Sequence, residues 1–189
     1  MRPDRLRYAY ALPVLLLSLL AALPARADDA IEVRTASARL EGDALVFSVS
    51  ASFPVDDQMR AALASGATVN LGVQAVVDRQ RRFWFDDRVV DASMERELSW
   101  NALSQRYVLK DTGSSEQRTF ATVEEAVVAA GAFDDWTVRL GVALDPRANY
   151  QIGVRARLRR GHAPTGLREL TFWTRYWNRS EWYQWQLRR

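Results

Sequence analysis

YQIGVRARLR, residues 150–159, is the stretch that decides the fold. Tyr150, Ile152, Val154, Ala156 and Leu158 alternate with Gln151, Gly153, Arg155, Arg157 and Arg159. Successive side chains of a strand point to opposite faces, so this period of two specifies a half-buried β-strand with one apolar face and one row of guanidinium groups. The same alternation runs through Leu45, Phe47, Val49, Ala51 and Phe53, and through Val69, Leu71, Val73, Ala75 and Val77. Weaker strand signals cover residues 31–40, 82–86, 94–100, 106–110, 136–140 and 167–177. In the first of these the apolar phase slips between Val33 and Ala36, as a β-bulge or a change of sheet makes it do.

Two short helices interrupt the strands. Residues 56–65 place Met59 and Leu63 one turn apart and stop at Gly66. Residues 122–130 begin with Thr122 and Glu125 in capping-box spacing, carry Val123, Ala126, Val127 and Ala130 as an apolar stripe, and stop at Gly131. Helices this short need a sheet to dock on. About nine strands and two helices predict a mainly β protein, an antiparallel β-sandwich of immunoglobulin-like type, preceded by a signal peptide helix. A small barrel with an internal cavity for an apolar or lipid-like ligand is the alternative, because period-two strands fit either closure.

The N-terminus has the anatomy of a secretory signal: Arg2, Arg5 and Arg7, an apolar run from Tyr8 to Leu23, then Ala25-Arg26-Ala27 as a small-x-small cleavage site. Residues 1–27 are therefore read as a signal peptide and residues 28–189 as a single domain, with an uncleaved membrane anchor over residues 8–23 as the alternative. The signal segment has a net charge of +3, equal to that of the whole chain, so the remaining 162 residues are neutral. That neutrality argues against a nucleic-acid partner. The charge is unevenly spread, however: residues 28–146 carry net −8 and residues 147–189 net +8.

The chain has no Cys and one His, His162, in a Gly/Pro-flanked loop. Thiolate nucleophiles, disulfides, Cys-based metal sites and His-pair zinc motifs are thereby excluded, and no phosphate-binding or dinucleotide loop is present. No cofactor, metal or catalytic residue is expected. Glu95 and Glu97 share a strand face, where they are expected to pair with a neighbouring Arg row; a carboxylate-based glycan-cleaving enzyme is a remote alternative. Asp56-Asp57 reads as a helix start, Asp86-Asp87 as a strand end and Asp134-Asp135 as a lead-in to a strand.

Two aromatic and Arg-rich surfaces are the candidate binding sites. One is Arg82, Trp84, Asp86 and Arg88, with Arg82 and Arg88 able to reach Asp86 or Asp87. The other is the row Arg155, Arg157 and Arg159, with Trp173 and Trp177 near the C-terminus. Guanidinium groups and indole faces together suit a sugar, a peptide or an anionic headgroup. Near the C-terminus Trp182 and Trp185, three apart, are expected to form one turn folding back on the sheet.

Four blocks occur in order: Arg82-Phe83-Trp84-Phe85-Asp86-Asp87-Arg88, then Leu98-Ser99-Trp100-Asn101-Ala102-Leu103-Ser104-Gln105-Arg106-Tyr107, then Phe120-Ala121-Thr122-Val123-Glu124-Glu125-Ala126, and finally Trp177-Asn178-Arg179-Ser180-Glu181-Trp182. In these the chain resembles a family of exported proteobacterial proteins known as a domain of unknown function. The resemblance implies a periplasmic protein of a Gram-negative envelope, often encoded beside a membrane sensor histidine kinase. It implies no activity, cofactor or catalytic residue. The expected partner is accordingly a protein or envelope component, the kinase among them.

Overall fold

A computed structural model describes residues 30–81, 86–161 and 178–187. The signal segment, the strands expected over residues 82–85 and 167–177, and the residues Arg82, Trp84, His162, Trp173 and Trp177 lie outside the described residues. In chain order the elements are β1 (Glu32–Glu41), β2 (Ala44–Ser52), α1 (Asp57–Ala64), β3 (Val69–Arg79), β4 (Asp87–Asn101), β5 (Arg106–Asp111), β6 (Gln117–Phe120), α2 (Val123–Ala130), β7 (Ala132–Arg139), β8 (Tyr150–Arg160), β9 (Asn178–Arg179) and β10 (Tyr183–Gln186). No helix among the described residues is long and apolar enough to cross a membrane.

The strands form two antiparallel sheets. The small one has the order β1-β2-β7; the large one has the order β10-β8-β3-β4-β5-β6, with β9 pairing β8 just ahead of β10. The sheets do not close into a barrel. Between them the inward phases of β2, β3, β7 and β8 share one core, which includes Leu45, Phe47, Leu71, Val73, Phe133, Ile152 and Val154, all fully buried. Burial of each such side chain contributes about 1.5–3 kcal/mol, so the sandwich is held by its middle. This core fills the space where a barrel would need its ligand cavity.

The phase slip in the first strand is a bulge and not a change of sheet: the β1–β2 register shifts between Val33 and Thr35. Both helices start as their caps dictate. The Asp56 carboxylate accepts from the Met59 N–H at 2.7 Å, and the Thr122 hydroxyl accepts from the Glu125 N–H at 3.3 Å. Asp134-Asp135 differs from expectation. The pair lies inside β7, at a second bulge where two residues face Ser48 alone, and Asp135 takes a φ of +52°. Asp tolerates this left-handed conformation better than most residues, and Arg39 holds its carboxylate at 2.8 Å.

The C-terminal turn also differs. Residues 183–186 extend β8's free edge as a strand, with Tyr183 opposite Val154 and Trp185 opposite Ile152. Three residues, Ser180 to Trp182, face only two on β8 between the β9 and β10 pairings. That extra residue is a bulge, and Ser180 stitches it: its N–H donates to the Ala156 carbonyl at 3.0 Å and its hydroxyl accepts from the Ala156 N–H at 2.9 Å. The consequence is that Arg179 shares the outer face with Arg157 while Tyr183 and Trp185 fall in phase with Val154 and Ile152, so Trp185 joins the inner core. Trp182, next to Tyr183, turns to the outer face by ordinary alternation.

Candidate functional site

The outer face of the large sheet gathers Arg88, Arg155, Arg157 and Arg159, while Asp86 lies ahead of β4 beside Arg81. Register fixes which side chains meet there. Gln74 of β3 stands between Ser93 of β4 and Arg155 of β8, Gly72 between Glu95 and Arg157, and Asn70 between Glu97 and Arg159. A long side chain on β8 can therefore reach β4 only across the short ones of β3.

Arg155 is fixed on two sides. Its Nε and Nη2 donate to Gln74 Oε1 at 3.0 and 2.7 Å, and Gln74 passes the contact on by donating from Nε2 to Asp91 at 2.5 Å. Its guanidinium also lies 4.3 Å from the Trp182 ring centroid, a cation–π contact. Gly153 makes this possible, because a Cβ there would stand 3.1 Å from Val76 and 3.2 Å from Trp182. The indole and the Arg155 side chain explain why Gln74 and Val76, in the outward phase of β3, are buried, and the Glu95 side chain covers Gly72.

Arg159 donates from Nη1 to Glu95 at 2.9 Å, spanning β3 where Gly72 leaves room for the Glu95 side chain. Glu95 thus does pair with the Arg row, and Glu97 accepts from the Thr68 hydroxyl at 3.4 Å. Arg88 reaches neither Asp86 nor Asp87. Its Nε and Nη2 donate to Asp78 at 2.9 and 3.2 Å, with Asp91 at 3.7 Å, because β3–β4 pairing puts Asp78 directly opposite. It is Arg81 that takes the two acids, through its N–H to Asp86 at 3.2 Å and its Nη2 to Asp87 at 2.7 Å.

Arg157 differs from its row. It stands directly opposite Arg179 of β9, so two guanidinium groups project from adjacent strands on one face. Like charges placed so destabilise a sheet. Among the described residues neither makes an ion pair or hydrogen bond with an acidic side chain. Glu181 lines a hollow of about 230 Å³ beside Trp182, with Ile31, Glu32, Val33 and Tyr183, and pairs with neither arginine. The two are felt by Arg155: burial first, then repulsion from Arg179 and Arg157, holds its guanidinium below the ordinary arginine range, against a pull upward from Asp91.

A different arginine escaped the sequence reading. Arg96 faces inward from β4, 7% exposed. Its Nε donates to Asp111 at 2.7 Å, and its Nη1 donates to the carbonyls of Ala129, Ala130 and Ala132 at 3.0, 3.3 and 2.5 Å. The guanidinium also lies 4.5 Å from the Phe133 ring centroid. It thereby satisfies carbonyls at the C-terminal end of α2, where a cation suits the helix dipole. The signal was available: Arg96 falls in the apolar phase of Met94, Leu98 and Trp100, and Asp111 falls in phase with Leu109 on the neighbouring strand.

A search among curated proteins finds no match to the chain. The model of one family, described as "Domain of unknown function (DUF4390)", matches residues 28–186 and so covers both sheets and the arginine cluster at the β8–β9 edge; the chain belongs to that family.

Proposed function

We propose that the chain is an exported, non-enzymatic binding module of the bacterial cell envelope, engaging a protein or envelope component through the outer face of its large sheet. The observation that carries this reading is the Arg157–Arg179 juxtaposition. Arg88 and Arg159 on the same face have acidic partners, and Arg155 has Gln74 and Trp182, whereas these two cations face one another. Two cations held together with no counter-charge among the described residues gain free energy when an anionic group arrives. Export to the periplasm is supported by the N-terminal pattern and by a family match that starts at residue 28, the residue after the expected cut at Ala27. The gene neighbourhood that the resemblance implies makes the exported part of a membrane sensor kinase the first protein partner to test.

The experiment is a pull-down from envelope extract with the purified protein and an Arg157→Glu/Arg179→Glu variant. Recovery of the kinase by the native protein alone supports the reading. Equal recovery by both, or by neither, removes this face from it.

A further inference from the structure

We propose that Arg157 and Arg179 form a binding site for a phosphate monoester group, with Arg155 adding positive potential from behind. The inference rests on the binding-module reading and names the chemistry of its ligand. Residues directly opposite in an antiparallel pair have Cβ atoms about 4.5–5.5 Å apart and project to the same side. Two planar guanidinium forks at that spacing can close on one tetrahedral anion, each presenting parallel N–H donors to a pair of oxygens. A carboxylate is saturated by one fork and brings one negative charge. A phosphate monoester offers three terminal oxygens and a charge of about −1.5 to −2 near neutral pH, which matches two cations.

The surroundings favour a fixed site over two mobile side chains. β9 is only two residues long, but Ser180 pins its end to Ala156 through two hydrogen bonds. Arg155 is held on Gln74 and Trp182, so its charge stays beside the pair. Arg157 is half-buried and Arg179 exposed, leaving the opening to solvent on the β9 side.

The test is a titration of the purified protein with inorganic phosphate, followed by the arginine Nε–H signals in NMR, with acetate as the planar, singly charged control. Saturable shifts at Arg157 and Arg179 with phosphate, absent with acetate, are expected. Affinity should fall at least about tenfold in Arg157→Gln and in Arg179→Gln, the loss of one charge-assisted hydrogen bond, and stay unchanged in Arg60→Gln, on α1. A second arm compares a soluble sugar phosphate with vesicles containing phosphatidic acid, and whichever competes with phosphate identifies the source. Absence of saturable shifts in the native protein overturns the proposal, as do equal shifts with acetate or undiminished binding in both variants. The pull-down above separates the two failures: a partner recovered through Arg157 and Arg179 by a protein that ignores phosphate means the ligand class is wrong and the module stands.

Discussion

Arg96 and Arg157 lie on opposite faces of the same sheet and show what a face does to a cation. Arg96, turned inward, has a carboxylate, three backbone carbonyls and an aromatic ring around it. Arg157, turned outward, meets another guanidinium. Removal of a charge from water is tolerated only when nearly every donor finds an acceptor, so the interior forces complete satisfaction. The outer face exerts no such demand, because water solvates what the fold leaves unpaired. An arginine enclosed by acceptors is thus a structural clamp, and one without an acidic partner among the described residues is where a ligand has something to gain.

Replacement of each arginine should separate these roles. Arg96→Ala leaves the half-buried Asp111 without its partner and the α2 carbonyls uncapped, and should cost about 3–5 kcal/mol in urea denaturation. A cost below about 1 kcal/mol would break the comparison. Next in size is Gly72→Ala, whose Cβ would stand 2.6 Å from the Met94 carbonyl oxygen and 2.7 Å from Glu95 Cγ. It should destabilise by about 1–3 kcal/mol and loosen the Arg159–Glu95 bridge, seen as a lower melting temperature. Thr122→Ala removes the N-cap at the far end of the helix that Arg96 closes, at a cost of about 1 kcal/mol. Faster amide exchange confined to α2 would show that the two ends act on one element.

Arg157→Gln should leave stability unchanged or raise it by a few tenths of a kcal/mol, since it relieves a like-charge pair. A marked loss in thermal unfolding would make Arg157 a clamp of the Arg96 kind. The smallest effect concerns Glu124, whose carboxylate accepts from Arg60. That bond, followed by a backbone hydrogen bond, holds the Glu124 carboxyl below its ordinary range. A depressed carboxyl stabilises the fold above its unfolded pKa, and the contribution is lost as pH falls through the folded pKa. On so exposed a pair the change is small, and Arg60→Ala should return the Glu124 midpoint upward in an NMR titration.

Much of this architecture was legible in the chain. Period-two runs located β2, β3 and β8 because each has an inner face that must be apolar, and the slipped phase at Val33 located a bulge. The cap of α2 was readable because Thr122 and Glu125 act locally. β6 and β9 were missed because four and two residues are too few to show a period. Trp182 and Trp185 were misjudged because three-residue spacing resembles a helical turn, whereas in an extended segment it puts the two on opposite faces. At the candidate site the Arg row was readable, and so was its pairing with Glu95, but which arginine takes Glu95 and that Gln74 takes Arg155 were not, because only register brings these neighbours together. The Arg179 partnership depends on β9, so no pattern in residues 150–159 foretells it.

β8 lies between β3 on one side and β9 and β10 on the other. Its second edge is closed by residues 178–186, which leave the ribosome after every other described strand. Until they arrive, the strand with the cleanest apolar face exposes an open hydrogen-bonding edge, which invites pairing with other chains. Completion of the large sheet is therefore a late event, and a chain cut short after Gly161 would be expected to aggregate rather than to fold with a missing edge.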